Sequence, residues 1–260
     1  MNKLANNKAI RENFVEMVSK RKNDVQRAIC ICGEDGKGKT TTINFLHQYC
    51  KNNNIKSVCI NFKFYNFKRR QEFFDHFSDQ LETFFPKGFK KYKDIKVKIQ
   101  NSNNSNTILK NVNIQGSLLK HIGSNINCSD ENTISVLTDK FLEDFKKLSG
   151  DFVVFFDHIE SLDDELRSFI VDYFVFKNRN NKSFLVFSWE NLSQIRATLD
   201  LDQGIRLFEL PYAYDISDWY DFCDAYCDGD EESKMVVRRS YEKYKNNPTF
   251  MRICLGGFEY

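Results

Sequence analysis

Proline is almost missing from this sequence, with three copies in 260 residues, so little in the chain interrupts helix or strand by blocking a backbone donor. Histidine is scarce as well, at four. The eight cysteines include no C-x-x-C pair, which argues against a zinc-ribbon framework. Cys223 and Cys227 lie four apart but lack further clustered ligands. Cys30, Cys32 and Cys59 sit inside apolar runs, where cysteine acts as a small hydrophobe, and the usage suits a reducing cytosol. No apolar run approaches the about 20 residues of a membrane helix; one of the longest spans only residues 152–156. Residues 1–13 carry no apolar signal core. Together these absences predict a soluble cytoplasmic protein with no membrane segment. The net charge of +2 is too small to argue for a nucleic-acid partner on charge alone.

What the chain has is ample core material: 41% hydrophobic residues, including 25 Phe. A chain of this length buries a core without disulfides. Ile10, Phe14, Met17 and Val18 fall at helical spacing and predict a first helix. Residues 28–32 (AICIC) read as a buried strand, followed by a helix with Ile43, Leu46 and Cys50 on one face. Residues 57–62 (SVCINF), 151–157 (DFVVFFD), 183–188 (SFLVFS) and 205–210 (IRLFEL) are four more strand candidates. Between them lie a helix carrying Phe73, Phe74, Phe77, Leu81 and Phe84, ended by Pro86, one carrying Ile134, Leu137, Phe141 and Phe145, and one carrying Leu162, Leu166, Phe169, Ile170 and Tyr173. Strands alternating with helices predict a parallel sheet covered on both faces. Residues 87–132 break the pattern. They are rich in Asn, Ser and Lys, alternate locally at Val112 and Ile114, and predict an insertion, either a β-hairpin or a loop. After Pro211 only helical spacing remains, with Ile216, Trp219, Tyr220, Cys223 and Tyr226 on one helix and Val236, Val237, Tyr241 and Tyr244 on another.

Gly33-Glu34-Asp35-Gly36-Lys37-Gly38-Lys39-Thr40 matches G-x-x-x-x-G-K-[ST], set between an apolar strand and an amphipathic helix. The glycines let consecutive N–H groups turn toward one anion. The helix that follows, where Thr41 stands, offers free N–H groups and its positive end to phosphates. Lys39 can reach the β- and γ-phosphates, and the Thr40 hydroxyl can ligate Mg²⁺. The strand at 152–157 ends in Asp157, a carboxylate of the kind that holds Mg²⁺ beside such a loop. Hydrolysis needs a group that orients or deprotonates water. Glu160 is the candidate, with His158 as the other possibility. Glu160 could instead cap the next helix. Ser188, at the end of the fourth strand, could contact the γ-phosphate or the attacking water, or could begin the loop or cap the next helix.

With these residues in view, the chain resembles AAA+-like ATPases and, within them, the STAND class of signalling NTPases. Arg11-Glu12 is similar to the end of the Gly-Arg-Glu box that precedes the phosphate loop, with Ile10 in place of Gly. Asp157-His158-Ile159-Glu160 is similar to the Asp-x-x-Asp/Glu second acidic box and lacks an adjacent Asp-Glu pair. Asn246-Asn247-Pro248 resembles the Gly-x-Pro turn of the lid, Asn tolerating left-handed geometry. The resemblance implies an α/β fold with a five-stranded parallel sheet in the order 5-1-4-3-2, flanked by helices. It places the P-loop domain over residues 1–211 and a C-terminal helical lid over 212–260, with Arg11 and Pro248 bordering the nucleotide. It further implies ATP and Mg²⁺ as cofactors and self-association or a partner protein. ATP is favoured over GTP because no Asn-Lys-x-Asp box stands at a strand end. Three readings stay open: an ATPase switch with slow hydrolysis, a non-hydrolysing scaffold that recruits another protein, and an ATPase loader on DNA. The last rests on lysines 87, 90, 91, 93, 96 and 98, interleaved with Phe89 and Tyr92.

The loop assignment makes a direct prediction. Lys39→Ala is expected to weaken nucleotide binding more than tenfold, or about 1.4 kcal/mol and upward. Titration with a fluorescent ATP analogue reads it, and unchanged affinity in a folded variant would overturn the assignment.

Overall fold

In the computed structural model, the described residues are 8–19, 28–65, 67–105, 131–176, 183–190, 205–210, 216, 220 and 231–244. They divide into two units, one formed by residues 1–66 and 151–260 and the other by 67–150.

The first unit is built on five parallel strands: β1 Ala28–Cys32, β2 Ser57–Asn61, β3 Phe152–Asp157, β4 Ser183–Trp189 and β5 Ile205–Glu209. Their order is β2-β3-β4-β1-β5, which is the expected 5-1-4-3-2 read from the other edge. β1 and β3 are buried at every position, as strands covered on both faces must be. The edge strands β2 and β5 keep partly exposed residues. On one face, Ile29, Ile31, Val153, Phe155 and Val186 pack with Ile10, Phe14, Met17 and Val18 of α1 (Lys8–Ser19) and with Ile43, Leu46 and Cys50 of α2 (Lys39–Asn52). On α6 (Asp164–Ile170), which continues into a π-helical turn over Val171–Phe176, Leu166, Phe169, Ile170 and Phe174 are buried, and Phe174 packs edge-on against Phe156 of β3. The Asp163 side chain caps α6 by accepting from the Leu166 N–H at 2.8 Å.

Topology and register together position the site. The chain leaves β1 toward β2 and leaves β4 in the opposite direction, toward β5, so a crevice opens at their carboxyl ends. Asn61 pairs with Asp157, and Ile31 with Ser188. Phe156 pairs with Phe187, which carries the next residues, Asp157 and Ser188, side by side. Three polar side chains from β2, β3 and β4 thus form one row at the end of the sheet that also bears the loop after β1.

The second unit contains α3 (Arg70–Glu82), α4 (Lys90–Ser105) and α5 (Glu131–Lys147). Its core is aromatic. Phe141 stacks on Phe74 at 4.4 Å and on Phe89 at 5.0 Å, and Tyr92 meets it edge-on at 5.6 Å. The buried Asp144 carboxylate accepts from the Tyr92 N–H at 2.9 Å, satisfying a free donor in the first turn of α4. Two sequence expectations are corrected here. Residues 90–105 are helix rather than hairpin or loop: Tyr92 and Ile99 are buried and Ile95 half-buried, a helical stripe inside the polar composition. Helix α3 ends at Glu82, so Phe84 lies beyond it and is exposed. Val112 and Ile114 lie outside the described residues. Of the helices expected after Pro211, α7 (Glu231–Tyr244) is present with Val237 buried; apart from residues 216 and 220, the other at 216–226 lies outside the described residues. Among the described residues no helix is long and apolar enough to cross a membrane.

Phe141→Ala removes the ring at the centre of the second unit's stack. We expect it to lower unfolding stability by about 3–5 kcal/mol, read as a shift in the urea midpoint. A loss under 1 kcal/mol would mean that this aromatic cluster does not hold the unit together.

Candidate nucleotide site

The loop after β1 begins where Gly33 passes the Leu210 side chain. A Cβ at Gly33 would lie 3.2 Å from Leu210 Cβ, closer than ordinary contact, so a larger residue would require Leu210 to give by a few tenths of an ångström. The Gly33 N–H donates to the Trp189 carbonyl at 3.3 Å, fastening the loop to β4. The loop ends at Gly38 in the left-handed region (φ 94°), directly before α2, and no side chain caps that helix. The first turn of such a helix directs its backbone N–H groups and positive end toward an anion.

Lys39 is 3% exposed, with its ammonium turned back into the loop. It donates to the Gly33 carbonyl at 2.5 Å and the Glu34 carbonyl at 3.1 Å, and lies 3.8 Å from the Asp35 carboxylate. A buried ammonium needs such partners, and phosphate oxygens can take their place when a nucleotide enters. Gly36 is exposed at the loop's turn and Lys37 is buried. Thr41 follows in the first turn of α2.

The second acidic segment meets this loop across 118 residues of sequence. Thr40 Oγ1 lies 3.0 Å from His158 Nε2. On the other side of the imidazole, Nδ1 lies 3.0 Å from Glu160 Oε1. His158 occupies the left-handed region (φ 60°, ψ 48°), a conformation that costs a non-glycine residue about 1–2 kcal/mol. A short 3-10 turn, Ile159–Ser161, then carries Glu160 back beneath the ring. Glu160 Oε2 is buried and has no hydrogen-bond partner among the described residues. The Glu160 hydrogen bond raises the His158 pKa above its ordinary value, burial opposes, and the charges of Asp157 and Glu160 add to the rise.

Asp157 is 1% exposed, and both its oxygens are held. The Ser188 hydroxyl donates to Oδ1 at 2.5 Å and Asn61 Nδ2 donates to Oδ2 at 2.9 Å. Ser188 Oγ also accepts the His158 N–H at 2.8 Å, which pins the left-handed residue. Each carboxylate oxygen retains a lone pair, so Thr40 and Asp157 together can serve a hydrated Mg²⁺, the hard oxygen donors that this ion takes. Asn61 escaped the sequence reading, because a polar residue ending a strand 96 positions before Asp157 carries no pattern of its own. Ser188 was legible as a polar strand end, and the structure places it on Asp157 and His158.

Not every expected residue joins this cluster. Arg11 is half-buried on α1, and among the described residues no hydrogen bond or ion pair ties it to the loop. Pro248 and its Asn-Asn-Pro turn lie outside the described residues, as do Cys223 and Cys227.

A model of the KAP family P-loop domain matches residues 7–195, nearly three quarters of the chain and the whole of this site. The chain belongs to the KAP family. No curated protein matches this KAP chain. Among solved structures it is similar to the Orc1 protein of Aeropyrum pernix, solved in complex with DNA, with a TM-score of 0.53 at 11% identity over 100% of this chain and 61% of that one. It is also similar to Cdc6p of Pyrobaculum aerophilum, with a TM-score of 0.55 at 12% identity over 97% of this chain and 60% of that one. The KAP chain thus spans about three fifths of the length of these structures. At such identities the likeness shows the fold alone, while the family match makes the chain a P-loop NTPase domain, a class in which nucleotide and Mg²⁺ binding is general.

The Ser188 hydroxyl joins two groups that have little other support. Ser188→Ala leaves Asp157 Oδ1 and the His158 N–H without it, at an expected cost of about 1–3 kcal/mol in unfolding stability. A urea titration measures this, and stability equal to the parent would show that the row is not held as described.

Proposed function

We propose that this KAP domain binds ATP with Mg²⁺ and works as a nucleotide-dependent switch of the STAND type, with slow hydrolysis. The observation that supports this best is the meeting of the phosphate loop with the acidic segment at Thr40 and His158, 3.0 Å apart. In this reading Gly33, Asp35, Gly36, Lys37, Gly38 and the first turn of α2, including Thr41, surround the phosphates with backbone donors. Lys39 gives up its carbonyl partners for the β- and γ-phosphate oxygens. Thr40 and Asp157 hold Mg²⁺, which when bound neutralises phosphate charge. Glu160, with one oxygen fixed and the other unpartnered, orients and deprotonates the attacking water. Glu160 does not cap α6, since Asp163 does that, which favours the catalytic role.

The readings that compete are less well supported. Of the lysines that suggested a DNA loader, Lys93 pairs with Asp79 and Glu82, Lys96 with Asp75, and Lys91 with Glu143. The charge of these three of the six lysines is paired within the second unit. A non-hydrolysing scaffold would have no use for a carboxylate kept ready at 160. Residues 212–260 would form the moving lid and the surface for self-association or a partner protein, closing on contacts made only when nucleotide is present.

Two variants test the roles. Asp157→Asn removes a charge beside the metal and is expected to impair Mg²⁺-dependent ATP binding. Glu160→Gln should leave binding intact and slow turnover by about a hundredfold. ATP hydrolysis by purified protein, with affinity measured in parallel, reads both. Tight ATP binding by the parent without any turnover would replace the switch with the scaffold. Hydrogen exchange tests the lid: protection on adding ATP and Mg²⁺ is expected in residues 33–40 and also within 231–252, and protection confined to the loop would rule out a nucleotide-sensing lid.

A further inference from the structure

His158 directly follows Asp157 in the acidic segment, and Glu160 is the next carboxylate along the chain. The imidazole lies between that carboxylate and the phosphate loop. One of its nitrogens is 3.0 Å from Thr40 Oγ1 and the other 3.0 Å from Glu160 Oε1. The ring is 12% exposed and the Glu160 side chain 14%, so little water competes for either contact. The left-handed backbone at His158, held by the Ser188 hydroxyl, is what turns the ring toward the loop. Strain of this kind persists only where the surroundings over-determine it, and it concentrates at functional positions.

We propose that His158 is a positioning residue, fixed as the Nδ1–H tautomer, that ties the Thr40 hydroxyl to the carboxylate of Glu160. This rests on the reading of Glu160 as the base. The tautomer follows from the partners. A carboxylate oxygen only accepts, so the nitrogen facing Glu160 carries the hydrogen. In the neutral ring Nε2 is then the bare nitrogen and accepts the Thr40 O–H. That leaves the lone pairs of Thr40 Oγ1 free for a cation, whereas a hydrogen on Nε2 would occupy one of them and set the Nδ1 lone pair against a carboxylate. With Nδ1–H on Oε1, the Glu160 carboxylate has one oxygen fixed in place and the buried, unpartnered Oε2 left to take a proton. His158 itself does not take the proton in this arrangement, since its one bare nitrogen is engaged by Thr40. Metal-ligating and base-orienting histidines gain their direction from the hydrogen bond at the other nitrogen in the same way.

Two measurements test this. Long-range ¹H–¹⁵N correlation on the labelled protein reports the tautomer of each of the four histidines, with His158 assigned by the signals lost in His158→Gly. Glycine suits the left-handed backbone there, so this variant removes the ring without straining the turn. We expect Nδ1–H with bare Nε2, both ligand-free and with ADP and Mg²⁺; the Nε2–H tautomer, or an imidazolium protonated on both nitrogens, overturns the proposal. In turnover, His158→Gly should keep ATP affinity and lose about a hundredfold in kcat, with at least tenfold recovered by added imidazole. It should cause no further loss in a Glu160→Gln background, because residues that act as a unit are not additive. Parental turnover in His158→Gly, a loss that imidazole does not restore, or full additivity with Glu160→Gln would each overturn it. A parent protein that binds or hydrolyses no ATP would instead sink the functional reading, while the tautomer would still be measured on its own.

Discussion

The buried carboxylate of Asp157 sets the terms for the rest of the site. Taking an ion of this size out of water costs several kcal/mol even after relaxation, so it persists only with donors in place. Those donors come from two other strands, Asn61 at the end of β2 and Ser188 at the end of β4. They reach it because the register carries all three to the same level of the sheet. A slip of one residue in either neighbouring strand would turn its donor to the opposite face. The same slip would carry the buried residues of that strand to the other face of the sheet, among different neighbours. Core packing thus fixes the register, and the register fixes the acid.

From Asp157 the constraint passes outward. Ser188 serves two masters: its hydrogen goes to Asp157, and its oxygen accepts the His158 N–H. That second bond holds a residue in a backbone conformation it would otherwise avoid, and the 3-10 turn after it returns Glu160 to the ring. One buried side chain on β4 therefore determines where three residues of the acidic segment stand. The Thr40 contact then brings in the phosphate loop, whose own placement depends on Gly33 passing close to Leu210 and bonding to β4. The site is a network anchored on sheet ends rather than a set of independent side chains. Single substitutions within it should be coupled.

Most of the scaffold was legible because it rests on patterns that sequence carries directly. The five strands are apolar runs, the phosphate loop is a motif with a physical reason for each position, and the order of strands follows the resemblance to AAA+-like ATPases. Other features were hidden for identifiable reasons. Asn61 acts through a partner 96 residues away, so nothing local marks it. The contact of His158 with Thr40 depends on a left-handed turn that a histidine need not adopt, and a sequence gives no sign that this one does. Helix α4 was masked by composition: its Lys and Asn residues drew attention away from Tyr92, Ile95 and Ile99. Its helical state is helped by the Asp144 carboxylate from α5, a long-range cap that no reading of residues 87–105 alone could supply.

The second unit has a simple place in this arrangement. β2 and β3 are parallel neighbours, and a parallel connection requires a crossover of a dozen or more residues in any case. Here the crossover is a helical unit with a core of its own, stacked around Phe141. It leaves after Asn61 and returns before Asp157, the two residues that hydrogen-bond across the strand pair. The sheet supplies that bond through register, so the crossover needs only to be long enough to close, and closing a longer connection adds little entropic cost. That freedom explains how a segment rich in Asn and Lys, including residues 106–130, can lie between two strands whose ends must meet to within a hydrogen bond. What the connection may not do is shift β2 against β3 by even one residue, because the lost Asn61 contact would leave the buried Asp157 carboxylate half-satisfied.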